Sequence, residues 1–300
     1  MPAKRSTRFE HYVPQVYLKS FVVHDVGRSS IYCYDKIKGT SRIRNIANVA
    51  GKANFYEAPG VQGIETFLGR LESQFGSVRD KLLSSKSVEN LSETERRVMA
   101  YFVATQLVRT DEIRQAVRDL AAATKESLKG ENVTATLRRE IEDAQEEKAI
   151  REVHLFMLRE IPRYAGNIME KKWILVVNRT VMPFWTSDHP VNLRNQTMAP
   201  GQVDIGINVP GIEIYLPLSP KVSLTFCDFK FFMFNPDRMV TTGLNNIVFQ
   251  NDWQLRQSTQ FVFSNVNDFS LARRITEDVP EIADPNRRRV VARLSHSTMS

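Results

Sequence analysis

Between residues 64 and 170 apolar positions recur at three- and four-residue spacing, and after Trp173 they run together or alternate. The first regime predicts helices and the second strands. Ile64, Phe67, Leu68, Leu71, Phe75, Val78 and Leu82 predict a helix over 64–83. Ser92, Glu93, Thr94 and Glu95 form a capping box, in which a hydroxyl and a carboxylate satisfy the free amides of a helix start. The helix it opens is expected to run to about residue 120, with Val98, Met99, Phe102, Val103, Gln106, Arg109, Thr110 and Ile113 on its inner stripe. A charged helical pattern returns over 136–159, with His154 read as a surface or capping residue. Pro162 bends this region before a last turn or two reaches Glu170.

Strands are expected elsewhere. Residues 31–34 and a return strand near 42–46 flank a turn, and Phe55-Tyr56 reads as a short extended piece. Before them, Pro14 opens a short helix carrying Gln15, Tyr17, Leu18 and Phe21. Residues 173–178 and 180–185 are expected to pair, 191–193 to lead into a Pro/Gly loop over 198–211, and 212–218 with 222–227 to form a hairpin. Residues 230–234 predict a strand, 244–257 a helix, 260–264 a strand and 269–275 a short helix. The class implied is α+β, a helical middle segment packed on a largely antiparallel β-sheet. The domain plan is a basic tail over 1–10, one domain over 11–275 and a loose basic tail over 276–300. The helical part of that domain covers 60–170 and the strand-rich part 173–265.

Composition adds bounds rather than identity. The chain is 42% hydrophobic and 25% charged, as expected of a soluble globular protein. It lacks the run of about eighteen apolar residues that a membrane span requires. The first residues lack the apolar core of an export signal, so a cytoplasmic location is expected. Cys33 and Cys227 have no metal-ligand spacing and read as small buried hydrophobes. The net charge of +7 is compatible with a nucleic-acid partner, RNA or DNA. Part of the excess sits near the ends, at Lys4, Arg5, Arg8, Arg287, Arg288 and Arg289, as solvated tails would place it.

Several polar positions need an explanation that packing does not supply. Ser187, Asp188 and His189 stand together at the end of an apolar stretch, fixed by Pro190. Glu65 and Glu72 lie seven apart on one helix face, and Gly69 and Gly76 on the same side imply a close approach by another element. Gln106 and Arg109 on a buried stripe require partners, since either left unpaired costs several kcal/mol. There is no Walker loop, GxGxxG, HExxH, GxSxG or paired CxxC, which removes motif support for nucleotide-cofactor enzymes, zinc proteases and α/β-hydrolases.

Taken in order, the run from His11 to Leu18 with Phe21, Phe55-Tyr56, Ile64-Glu65 with Leu71-Glu72, the run from Gln106 to Thr110, Trp173, the run from Thr186 to Asp188 with Pro190-Val191, and the run from Leu216 to Pro220 resemble domain-of-unknown-function family 4238. These are mostly bacterial proteins of about this length, and the resemblance covers residues 11–265. It implies an architecture and a site rather than an activity. Asparagine is usual where His189 stands, which leaves Asp188 and His11 as the stronger candidates.

If these residues converge, they make a phosphodiester-cleaving, nuclease-like site of the kind a phage-defence effector or toxin would use. His11, Arg109 and Asp188 would be catalytic: the imidazole as acid or base, the guanidinium as phosphate clamp. Glu65, Glu72 and Asp188 would hold a divalent cation, Mg or Mn, and Gln15, Gln106, Thr110 and His189 would contact the substrate. The alternative is a non-catalytic binding or sensor protein, in which Arg109 pairs with Glu65 or Asp188 and His11 completes a structural polar network.

Overall fold

The computed structural model describes residues 9–23, 29–56, 64–129, 131, 133–195, 206–228 and 240–289. Strand β1 (Phe9–His11) pairs antiparallel with β4 (Gly51–Ala53) in a two-stranded ribbon. Gly51 is where the ribbon is tightest: a Cβ there would stand 2.8 Å from the Glu10 carbonyl oxygen and 2.5 Å from the Phe9 ring. Between these strands lie α1 (Gln15–Leu18), begun by Pro14, and the antiparallel hairpin of β2 (Ser30–Asp35) and β3 (Thr40–Asn45). The helical middle follows as α2 (Ile64–Ser85), α3 (Glu93–Val108), α4 (Asp111–Ser127), α5 (Ala135–Asp143), α6 (Glu147–Arg159) and α7 (Ile161–Met169). The capping box forms as expected at Ser92 and Glu95, and Pro162 sits in the first turn of α7, where its missing N–H costs nothing.

Two sheets take up the rest. A five-stranded sheet has the order β10-β5-β9-β8-β7, built from β5 (Lys172–Asn178), β7 (Asn192–Asn195), β8 (Ile212–Ser219), β9 (Val222–Cys227) and β10 (Val240–Thr242). Its pairs are antiparallel except β10 against β5. A four-stranded antiparallel sheet has the order β3-β2-β11-β6, with β6 (Thr186–Ser187) and β11 (Phe261–Ser264). Helices α8 (Leu244–Gln257) and α9 (Ser270–Asp278) pack beside them. The α+β expectation is met. One large core joins the ribbon, the helices and both sheets, from Tyr12 through Phe75, Phe102 and Trp173 to Phe226 and Phe263. Tyr17 crosses it, donating to the Pro217 carbonyl at 2.6 Å and sharing a 2.7 Å hydrogen bond with Thr186, so α1 is tied to both sheets.

Several expectations are corrected. The single helix expected over 92–120 is two, because Thr110 is extended (φ −82°, ψ 163°) and the acidic residues Asp111 and Glu112 open a new helix after it. The helix expected over 136–159 is likewise split into α5 and α6. Phe55 and Tyr56 form a turn rather than an extended piece. Residues 180–185 do not pair with β5. Asn178 Nδ2 donates to the Met182 carbonyl and closes a turn, Pro183 follows, and the chain leaves for the other sheet, where β6 pairs with β11. Of the two helix glycines, Gly76 meets a neighbour, Val16, at 3.2 Å, whereas Gly69 faces open space. The tail expected to be loose from 276 is ordered to 289: α9 runs to Asp278, and Arg287 and Arg289 dock on Glu112 at 2.7 and 3.0 Å. The strand expected over 230–234 and most of the 198–211 loop lie outside the described residues.

Candidate functional site

Arg109 ends α3 with its guanidinium buried under the ribbon. Its Nε donates to the Tyr56 hydroxyl at 3.0 Å, Nη1 to Glu72 Oε1 at 2.9 Å and Nη2 to the His11 carbonyl at 2.5 Å. Gln106, one turn earlier, is fully buried, and its amide oxygen and nitrogen are assigned by their neighbours: the nitrogen donates to the Tyr12 carbonyl and the oxygen accepts from Arg109 Nη1, both at 3.2 Å. The arginine therefore joins α3, α2 and the ribbon, and its side chain is 3% exposed. His11 contributes its backbone to this network and points its ring elsewhere: Nε2 donates to the Ala47 carbonyl at 3.2 Å. Burial lowers the imidazole pKa, with Ala47 and Glu72 opposing and Arg109 adding to the shift.

Asp188 follows β6 and is 1% exposed. Its Oδ1 accepts from the Thr259 amide at 2.8 Å, and its Oδ2 from the Gln260 and Phe261 amides at 2.9 Å each. The carboxylate clamps the turn that enters β11. Burial raises its pKa, against the pull of those amides and of the Lys36 ammonium. His189 points the other way, as adjacent residues of an extended chain must, and shares a 2.6 Å hydrogen bond with Thr110. Burial, then Arg287 and Lys36, hold the His189 pKa down at about 3, so the ring is neutral. Lys36 itself is buried and donates to the Leu255 and Ser258 carbonyls at 3.0 and 2.5 Å.

The sequence-derived residues thus fall into separate groups. Arg109, Glu72, Gln106 and the His11 backbone form one, Asp188 with residues 259–261 a second, and Thr110 with His189 a third. Gln15 is exposed at the start of α1, and Glu65 is exposed in the first turn of α2. The expected carboxylate partner of Arg109 is Glu72, not Glu65 or Asp188. Glu65, Glu72 and Asp188 do not fit a shared cation: no three His, Cys, Asp or Glu side chains among the described residues are grouped to hold a metal. His154, expected at the surface, is fully buried. Its Nε2 donates to the Val108 carbonyl at 2.9 Å and its Nδ1 accepts from Arg114 at 3.2 Å, and burial followed by Arg114 lowers its pKa to about 4.

Beside these saturated groups lies a partly open cavity of about 180 Å³. It sits where the ribbon, the turn over 48–50, the start of α4 and the 259–261 turn meet, and Asp188 is the one residue of the sequence-derived set that lines it. Asp111 faces it and pairs with Lys52 at 2.7 Å, the aspartate side chain 4% and the lysine 50% exposed. Phe9 and Phe261 supply aromatic surface, and Cys33 a thiol whose pKa burial pushes up to about 12. Tyr12 is 5% exposed, and its hydroxyl makes no hydrogen bond among the described residues. Burial, then Asp188 and Asp111, push its pKa well above the ordinary tyrosine value. Tyr12 and Asp111 are sequence neighbours of His11 and Thr110. The available signal was a tyrosine and an acid flanking two residues already marked as polar outliers; Arg44, Lys52 and Thr259 carried none.

Comparison with curated proteins and with solved structures finds no match. A family model does match, over residues 10–268, which take in the Arg109 network, the Asp188 clamp and, Phe9 apart, the ribbon and the cavity lining. No helix among the described residues is long and apolar enough to cross a membrane. The chain belongs to the family described as Protein of unknown function (DUF4238).

Proposed function

We propose that this chain is a non-catalytic binding or sensor protein that takes a small molecule in the cavity beneath Tyr12. One contrast carries this reading. Arg109, Asp188, His189 and Thr110 are spent on partners within the chain, whereas the cavity beside them is lined by a buried tyrosine whose hydroxyl makes no hydrogen bond among the described residues. Buried polar groups are ordinarily paired, and one that is unpaired at a cavity wall has its partner supplied from outside. The saturated groups hold that wall in place. The test is a thermal-shift and titration screen of small metabolites, with Thr259→Phe, which fills the cavity from a half-buried position, as the control. Ligands whose binding disappears in that variant support the reading; a screen in which no ligand distinguishes the variant from the parent refutes it.

A second reading is a nuclease-like hydrolase acting on RNA or DNA, in a toxin or phage-defence role. Its supporting observation is the half-buried His11 imidazole, kept in its basic form near neutrality, with Glu72 close enough to oppose that shift and itself 28% exposed. Labelled RNA and DNA incubated with and without Mg or Mn test it, with His11→Ala and Asp188→Ala beside the parent. Absence of cleavage, or cleavage unchanged in folded variants, rejects it.

A further inference from the structure

The groups around the cavity differ in what they still lack. Asp188 is filled by three backbone amides. Asp111 is filled by the ammonium of Lys52, but that side chain is half-exposed and reaches in from the solvent side. An ammonium on Asp111 is therefore a feature of the cavity, and the present occupant is one that can swing out at little cost. Among the other lining residues, Arg44 has no ion pair with any described residue. Its guanidinium lies 5.9 Å from the centre of the Phe261 ring, and its Nε, shielded from water, meets no acceptor. The Thr259 hydroxyl is likewise shielded and unpaired, and the Tyr12 hydroxyl makes no hydrogen bond among the described residues. Donors without acceptors and one displaceable ammonium along the same cavity wall describe a ligand with two unlike ends.

The volume, about 180 Å³, lies below the roughly 300–1,000 Å³ of pockets for drug-sized molecules and excludes a nucleotide-sized occupant.

We propose that the cavity binds a small zwitterion of the amino-acid class, with its ammonium on Asp111 in place of Lys52, its carboxylate on the Arg44 guanidinium and the Tyr12 hydroxyl, and its side chain against Phe9 and Phe261. This rests on the binding reading above and names its ligand class. Arg44 forms the two-pronged contact that a carboxylate matches, and Lys52 acts as a built-in competitor that closes the acid subsite when no ligand is present.

The experiment is calorimetric titration of the full chain with leucine, phenylalanine and glutamine, each beside its decarboxylated amine and its deaminated acid, with inorganic phosphate as a further arm. The amino acid is expected to bind about tenfold or more tightly than either single-charge counterpart, as charge-assisted contacts at each end require. Asp111→Asn removes the advantage over the acid and leaves that over the amine. Arg44→Met does the reverse, and Lys52→Ala tightens binding. Circular dichroism and melting confirm that each variant folds. An amine, an acid or phosphate that binds as tightly as the amino acid, and is lost in Thr259→Phe, overturns the zwitterion and leaves the binding reading standing. Binding of none of these by parent and Lys52→Ala alike sinks the zwitterion, and the metabolite screen then decides the binding reading.

Discussion

Replacing Arg109 by methionine separates a structural from a catalytic role for the most connected side chain of the site. Methionine keeps much of the volume and removes every donor. Glu72 is 28% exposed and can rehydrate, so its loss of a partner is cheap. The His11 carbonyl and the Gln106 amide oxygen are different: both lie under the ribbon, and among the described side chains the carbonyl is otherwise reached by the Tyr56 hydroxyl at a long 3.5 Å. Each buried acceptor left unsatisfied costs about 1–3 kcal/mol, which places the variant about 3 kcal/mol below the parent. Against a total stability of roughly 5–15 kcal/mol that is a large fraction, and in urea it moves the midpoint without changing the slope. Glu72→Gln, which keeps an acceptor for Nη1, should lose only about 1 kcal/mol. Arg109→Lys should not restore the parent, because one ammonium cannot span the tyrosine, carboxylate and carbonyl that the planar fork reaches. If Arg109→Met unfolds within about 0.5 kcal/mol of the parent, the network is not structural and the reasoning fails.

Other outcomes follow from burial. His154 and His189 have folded-state pKa values of about 4 and 3, below the unfolded value, so their contribution is complete above pH 6.5 and is lost as pH falls toward those values. At pH 5 that is about 2 kcal/mol per histidine. The raised pKa of Asp188 works in the opposite direction over the same window and offsets part of it. Denaturation at pH 7 and pH 5 should show a net loss at the lower pH that shrinks in His154→Gln; an equal pH dependence in that variant rejects the assignment. Gly51→Ala should destabilise by about 1–3 kcal/mol, since the new Cβ meets backbone at 2.8 Å; unchanged amide exchange over residues 9–11 and 51–53 would contradict the close approach. Cys33 and Cys227, with pKa values pushed up to about 12 by burial, should resist thiol reagents at pH 8 in the folded chain and react fully in denaturant.

What the sequence disclosed, and what it withheld, divides by the range of the interactions. The α2 stripe, the Ser92 capping box and the 212–227 hairpin depend on neighbours a few residues away, and their residues state them. Gln106 and Arg109 announced that they needed partners because they interrupt an apolar stripe, but the identity of those partners, Glu72 and the His11 and Tyr12 carbonyls, depends on how α3 lies against α2 and the ribbon. His154 reads as a surface residue because its enclosing groups, Arg114 and the Val108 carbonyl, are 40 and 46 residues away. After the Asn178 turn, the course of 180–185 away from β5 is held by Asn251, which accepts from the Trp185 amide and donates to the Pro183 carbonyl across 66 and 68 residues of sequence. The cavity was least legible of all, since it is assembled from segments as far apart as Phe9 and Phe261, none of which carries a motif.

The clamp at Asp188 reads main chain and not side chains. Its three donors are the amides of residues 259, 260 and 261, so any residue but proline at those positions keeps the joint intact. The same three residues form part of the cavity wall. Mutational drift at 259–261 can therefore change the shape and polarity presented to a ligand without loosening the connection between β6 and β11. On the binding reading proposed above, affinity for one molecule can be exchanged for affinity for another by steps that leave this joint intact, and Asp188 is the residue that makes those steps independent of it.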